Sequence, residues 1–251
     1  MSGVLAGRTA LITGAGKGLG KAMALAVAAE GAKVALVART SSDLDAVVSE
    51  IASKGGEARA FPADVTKEDD VLKLERDVSA AFGRIQILIN NAGVNVRKPI
   101  TEFTLAEWNR VMDTSVTAAF LMCRSFVPHM QASGFGRVLN LTSTMAHVSL
   151  PHRTAYSSAK TALLGMTRSL ALELAPDGIT VNGISPGPFG TEMNRPLLEN
   201  PELNRQFIAR IPLGRWGKVE EVGRLAVYLC SEDAAFITGT DVLIDGGWCA
   251  V

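Results

Sequence analysis

Thr9-Ala10-Leu11-Ile12-Thr13 runs straight into Gly14-Ala15-Gly16-Lys17-Gly18-Leu19-Gly20, and that loop opens the alanine-rich run Lys21 to Glu30. The first five residues read as a short apolar strand. The last ten read as a helix stopped by Gly31. A glycine loop between a strand and a helix is the context a phosphate cradle needs. Glycine lets the backbone turn and come close to a pyrophosphate, and the amides at the helix start face its charge.

The rest of the chain repeats the alternation. Strands are expected at Lys33–Ala38, Ala58–Ala63, Ile85–Ile89, Gly136–Leu141, Ile179–Ile184 and Asp241–Ile244. Helices are expected around Leu44 to Ile51, Val71 to Phe82, Leu105 to Ala132, Thr154 to Ala175 and Val219 to Cys230. Short apolar strands separated by helices imply parallel pairing with helices on both faces. The expected fold is α/β: a single-domain, Rossmann-like, doubly wound parallel sheet of about seven strands, with ligands at the carboxyl ends of the strands. The pattern weakens between Pro186 and Trp216, so residues 187–216 are expected to form a flap over substrate.

Composition agrees with one globular unit. The 251 residues are 47% hydrophobic and 20% charged, which fits a packed core rather than disorder. Twenty-five basic and 25 acidic side chains cancel, which argues against nucleic-acid binding. Cys123, Cys230 and Cys249 are an odd, scattered trio and suggest no disulfide framework. His129, His147 and His152 are too few and too scattered to require a metal. The first residues and the helices show no signal peptide or spanning segment, so a soluble, cytoplasmic protein without membrane contact is expected.

The loop differs from GxGxxG and lacks the Lys-Ser/Thr ending of a mononucleotide P-loop, so a dinucleotide is favoured over ATP hydrolysis. At the end of the second strand stands Ala38-Arg39-Thr40. Arg39, helped by Lys17, suits a 2′-phosphate and favours NADP over NAD, with Asp43 weighing slightly against. Asp64 follows the third strand, where it faces an adenine or caps a helix. Tyr156 and Lys160 are four apart on one helical face. A nearby ammonium is expected to depress the tyrosine pKa and suit the phenol to acid–base work. Ser143, in a strand-end loop, is placed to bond a carbonyl oxygen.

With these motifs in order, the chain resembles the short-chain dehydrogenase/reductase family. The resemblance rests on Thr13-Gly14-Ala15-Gly16-Lys17-Gly18-Leu19-Gly20, Asn90-Asn91-Ala92-Gly93, Ser143 with Tyr156-Ser157-Ser158-Ala159-Lys160, Pro186-Gly187 with Thr191, and Asp245-Gly246-Gly247. It spans essentially the whole chain. It implies an NADP-dependent oxidoreductase that interconverts a carbonyl and a secondary alcohol. Tyr156 would exchange the proton, Lys160 would hold the nicotinamide ribose, and Ser143 would stabilise the substrate oxygen. Asn90, Ala92 and Gly93 would pack along the cofactor, and Asp64 and Val65 would hold the adenine. Pro186, Gly187, Phe189 and Thr191 would fix the carboxamide end. One position departs from the pattern: Ser115 stands where the family usually has an asparagine supporting a proton-relay water.

Within the family, Arg97 to Phe103 resembles both gluconate or deoxygluconate dehydrogenases and 3-oxoacyl-carrier-protein reductases. The loops Val94 to Lys98 and His147 to Arg153 suit a sugar acid or keto acid, with Arg153 and the two loop histidines as contacts. Arg97, Lys98 and Arg124 suit the rim for an acidic carrier protein instead. Met193, Leu197, Leu198 and Phe207 suit a less polar ketone. A non-catalytic NADP-binding sensor or scaffold is the alternative outside enzymology. The resemblance also implies a homotetramer paired through Leu105 to Ala132 and Thr154 to Ala175, with Trp248 and Cys249 resting on a neighbour.

Overall fold

The alternation of side chains along the first strand already shows two cores. In β1 (Thr9–Thr13), buried throughout, Ala10 and Ile12 face one apolar cluster and Leu11 faces the other. A strand covered on both faces needs an unbroken apolar run, and Ala-Leu-Ile supplies it. The structure is a computed structural model that describes residues 3–250, without the side chains of Met193 and Pro196. Met1, Ser2 and Val251 lie outside the described residues, and so does the expectation placed on the Met193 side chain.

Along the chain β1 is followed by α1 (Gly18–Ala29), β2 (Lys33–Ala38), α2 (Ser41–Ser53), β3 (Ala58–Pro62), α3 (Glu68–Phe82) and β4 (Ile87–Asn90). Then come α4 (Leu105–Met112), α5 (Ala118–Gln131), β5 (Gly136–Leu141), α6 (Thr154–Leu174) and β6 (Ile179–Pro186). The chain closes with α7 (Arg195–Leu198), α8 (Pro201–Ile208), α9 (Val219–Cys230) and β7 (Asp241–Ile244). The strands form one sheet in the order β3-β2-β1-β4-β5-β6-β7, and every pairing is parallel. One core packs α1, α2 and α9 on the sheet through Met23, Val27, Leu44, Val47, Val222 and Leu229. The other packs α3, α5 and α6 through Val71, Leu74, Met122, Phe126, Ala171 and Leu174. The doubly wound, Rossmann-like fold expected from the sequence is the one observed.

Several strand ends move by one or two residues from the reading of the sequence, as in β4 (Ile87–Asn90) and β6 (Ile179–Pro186), and two differences among the helices bear on the site. The helix after the glycine loop begins at Gly18, inside the loop itself. The long helix expected over Leu105 to Ala132 is two helices separated by a π-helical turn, Asp113–Thr117. Apolar spacing on either side stays helical, so periodicity alone does not reveal the wider turn. Inside it the Thr114 hydroxyl donates to the Arg110 carbonyl at 2.7 Å, and Ser115 is turned inward and buried.

At the amino edge of the sheet a small charged cluster closes the fold. The Arg8 and Arg137 guanidinium carbons lie 3.6 and 4.1 Å from the Phe135 ring centroid. Glu232 pairs with both, at 2.9 and 3.5 Å. Among the described residues no helix is long and apolar enough to cross a membrane.

Candidate active site

The strand order reverses between β1 and β4, and the crevice expected at such a switch point is present. A cleft of about 1040 Å³ runs along the carboxyl ends of the strands, from the end of β2 past the glycine loop to α6 and α8. Thr13 and Asn91 stitch its floor. The Thr13 hydroxyl accepts the amides of Asn91 and Ala92, each at 3.0 Å. The Asn91 side-chain amide donates to the Thr13 carbonyl at 2.8 Å and the Gly14 carbonyl at 3.1 Å. A side chain on Gly20 would overlap the Gly14 carbonyl oxygen and come within 2.5 Å of the Asn91 amide. Only glycine lets α1 start this close to β1, which leaves room for a ligand above the loop.

Most of the residues singled out from the sequence line this cleft. Gly14, Gly16, Lys17, Gly18, Leu19 and Gly20 form one wall. Arg39, Asp64, Val65, Ala92 and Gly93 continue it, and Ser143, Tyr156, Lys160, Pro186, Gly187, Phe189 and Thr191 complete it. Three lie behind the lining. Thr13 acts through its bonds to Asn91 and Ala92. Asn90 is buried, donating to Asn140 Oδ1 at 2.9 Å and Cys123 Sγ at 3.4 Å. Ser115 is the third. Asn91, one residue on from Asn90, has the cleft position; its place in the same four-residue motif was the available signal.

At the far end, Arg39 has no carboxylate within salt-bridge range among the described residues, whereas Lys17 lies 3.5 Å from Asp43 and 3.8 Å from Glu192. Burial pushes the Asp64 carboxyl up. The Thr66 hydroxyl and amide, with the charges of Arg39 and Lys67, outweigh it and leave the carboxyl below its ordinary range. Those Thr66 bonds, at 2.7 and 3.1 Å, form a local turn ahead of α3.

At the near end, Ser143, Tyr156 and Lys160 converge. The Ser143 hydroxyl accepts the Met145 amide at 3.1 Å, which leaves its own hydrogen to donate. Lys160 is buried on α6 and donates to the Leu141 carbonyl at 2.5 Å. Its ammonium stands 5.7 Å from the Tyr156 ring centroid. Burial pulls that ammonium down to about 8. The expectation that Lys160 depresses the phenol is corrected here. Burial pushes Tyr156 up, and the Ser143 hydroxyl with the charges of Arg153 and Arg97 only partly offsets it. The ammonium bonds a carbonyl rather than the phenol. A Cβ at Gly93 would lie 3.5 Å from Lys160 Nζ and 3.7 Å from Ser115 Oγ, so the two face a common space. The Ser115 hydroxyl is buried with no hydrogen-bond partner among the described residues.

The substrate loops sort the charged residues. Arg97 and Arg153 line the cleft, and neither has a carboxylate partner among the described residues. Burial first, then repulsion from Arg97, holds Arg153 below its ordinary value. Lys98 instead pairs with Glu107 at 2.7 Å, beside the capping box of α4. Arg124 pairs with Glu68 at 2.6 Å. His129 closes α5 against Glu75 at 2.8 Å. His147 and His152 do not line the cleft; His147 bonds Asp241, and His152 is exposed with a φ of 67°. Leu197 and Phe207 line the cleft and Leu198 does not. Phe207 stacks on Trp216 and tilts against Trp248, both at 4.9 Å between centroids. Trp248 is therefore buried within its own chain rather than left free for a neighbour.

Three comparisons bear on this arrangement. A family model described as enoyl-(acyl carrier protein) reductase matches residues 14–249. A 3-oxoacyl-[acyl-carrier-protein] reductase of Synechocystis is 40% identical over 245 residues, covering 97% of each chain. A gluconate 5-dehydrogenase of Gluconobacter oxydans is 35% identical over 243 residues, covering 97% of this chain and 95% of that one. Among solved structures, a gluconate 5-dehydrogenase of Burkholderia cenocepacia in complex with NADP and tartrate superposes with a TM-score of 0.94 at 31% identity, covering 98% and 97%.

Proposed function

This chain belongs to the short-chain dehydrogenase/reductase family, NAD(P)-dependent oxidoreductases, and we propose that it uses NADP(H) to interconvert the carbonyl and secondary alcohol of a small acid, a sugar acid or keto acid. The observation that carries the reading is the convergence of Ser143, Tyr156 and Lys160 on a cleft continuous with the glycine cradle. The cradle fits a dinucleotide. The Gly20 approach leaves space above the loop, and Arg39 offers an uncommitted guanidinium to a 2′-phosphate. Residues Gly14 to Gly20, Arg39, Asp64, Val65, Ala92, Gly93, Pro186, Gly187, Phe189 and Thr191 would hold it, with Thr13 and Asn90 behind them.

When bound, the nicotinamide supplies or takes up the hydride. The protein's part is orientation and charge. Ser143 Oγ–H donates to the substrate oxygen, its lone pair being held by the Met145 amide. Tyr156 Oη, kept protonated by burial, gives its proton to that oxygen as charge develops. The Lys160 ammonium, tied to Leu141, keeps positive charge behind the phenol. Ser115, beside Lys160 across Gly93, is the fourth polar group on this route. Residues 187–216, with α8 held by Trp216 and Trp248, act as the flap.

Arg97 and Arg153 support the acidic substrate, because both line the cleft with Tyr156 and neither has a carboxylate partner among the described residues; Arg97 donates only to the neutral Asn194 side chain, at 3.3 Å. Reduction of a 3-oxoacyl thioester is the second reading, favoured by the 40% identical carrier-protein reductase. It is weakened because Lys98 and Arg124, two of the three cations of a basic rim, are already paired. Exposed Leu105, Phe120 and Leu172 on α4, α5 and α6 support self-association, which we read as a homotetramer. The test is nicotinamide absorbance with NADPH and NADH against sugar acids, keto acids, acyl thioesters and neutral ketones. Turnover of an acid with NADPH, lost in Tyr156→Phe, is expected. Turnover of thioesters alone would overturn the substrate class.

A further inference from the structure

Behind Ser143 a second polar cluster joins three strand ends. Asp241 opens β7, and its side chain is only 9% exposed. Its Oδ1 accepts the Thr142 hydroxyl at 2.6 Å. Its Oδ2 accepts the Ser185 hydroxyl at 2.5 Å and lies 2.6 Å from His147 Nε2. Thr142 and Ser185 also meet at 2.8 Å. A Cβ on Gly183 would overlap Asp241 Oδ1, so the carboxylate fills a socket that glycine alone leaves open. The acid stands at the centre, and among the described residues no hydroxyl is paired with the imidazole. This is not the order that activates a nucleophile.

The cluster's neighbours give it meaning. Thr142 precedes Ser143. Ser185 precedes Pro186 and Gly187, which line the cleft. His147 ends the short turn Thr144–Ala146 that follows Ser143. Within that loop the amides of Ala146, His147 and Val148 bond only to Ser143 and Thr144 carbonyls, at 2.8 to 3.0 Å. Its ties to the rest of the fold are the longer contacts of Thr144 with the Pro186 carbonyl and Thr161 with the Ala146 carbonyl, at 3.5 and 3.4 Å. Farther along, Ser149 meets Ser157 at 2.8 Å. Thr142 holds the near side of Ser143 to the same carboxylate, and on the far side the 2.6 Å bond from His147 is the shortest tie between the 144–148 loop and the rest of the fold.

We infer that Asp241 and His147 are positioning residues for Ser143: Asp241 anchors the ends of β5 and β6 together, and His147 tethers the loop that sets the serine hydroxyl. The inference rests on the proposed role of Ser143 at the substrate oxygen. Its test compares wild type, His147→Ala and His147→Gln, because the glutamine Nε2 lies close to the place of the imidazole Nε2. In His147→Ala, hydrogen exchange of the 145–148 amides should be about tenfold faster, with β4 and α1 unchanged. With the substrate found in the panel, kcat should fall about tenfold. KM and NADPH affinity should stay within about twofold of wild type. Glutamine should restore both exchange and kcat. Unchanged exchange, faster exchange with unchanged kcat, or a glutamine variant no better than alanine overturns the inference. A wild type that turns over nothing counts against the proposed activity instead, and the exchange comparison still decides the tether.

Discussion

Replacing Lys160 by methionine keeps an unbranched side chain one atom shorter and removes its charge, so the pH dependence of the difference isolates what burying an ammonium costs. The native lysine is pulled from 10.5 to about 8 by burial. Each tenfold loss of proton affinity is about 1.4 kcal/mol, so the full drop corresponds to about 3 kcal/mol. The unfolded chain keeps this proton up to its ordinary range, whereas the native protein releases it near 8. Between those limits the unfolded state binds more protons, so raising the pH stabilises the fold. The penalty is fully present below 8 and is relieved as the pH climbs toward 10.5. The stability of wild type relative to Lys160→Met should therefore rise by about 2 to 3 kcal/mol between pH 7 and pH 10. Urea unfolding followed by circular dichroism, at one protein concentration, measures it. Other titrating groups are common to both proteins and cancel. A difference that stays flat or shrinks with rising pH would show that the ammonium is solvated, and the account of the site as a dry pocket would fail.

Three shorter predictions follow from the same geometry. Arg39→Ser should weaken NADPH binding by about tenfold, the loss expected of one charge-assisted phosphate contact, and leave NADH nearly unchanged; equal effects on both would remove Arg39 from the phosphate site. Arg153→Ala should raise KM for acidic substrates by about tenfold or more while sparing neutral ketones, and a uniform change would assign it to packing. Ser115→Ala removes a buried hydroxyl without a partner, so thermal unfolding should show it unchanged or stabilised by about 1 kcal/mol. Its kcat should fall if the hydroxyl serves the proton route, and a large loss of stability would mean that Ser115 has a partner after all.

Much of this was legible in the sequence because local rules and the global fold agree. The β1–glycine–α1 run specifies a strand buried on both sides and a helix that starts within reach of it. Tyr156 and Lys160 share a face because four residues make one helical turn. What stayed hidden depends on contacts between distant segments. The π-turn that aims Ser115 inward inserts itself without disturbing the apolar spacing of α4 and α5. The direction in which Tyr156 titrates follows from its burial, which the tertiary fold sets, and the Lys160 ammonium finds its acceptor at Leu141, nineteen residues away. Lys98 and Arg124 read as free cations until Glu107 and Glu68 are seen beside them. Asp241 and His147 lie 94 positions apart, and each alone reads as an ordinary loop or strand-end residue.

The Arg8–Phe135–Arg137–Glu232 cluster sits at the opposite edge of the sheet from every residue of the proposed chemistry. For directed evolution this divides the molecule in two. Changes at the amino edge bear on how long the protein survives heating and storage, and changes at the carboxyl edge bear on what it converts. Libraries confined to either edge should therefore be combinable with little epistasis, since the intervening strands separate the two sets of side chains.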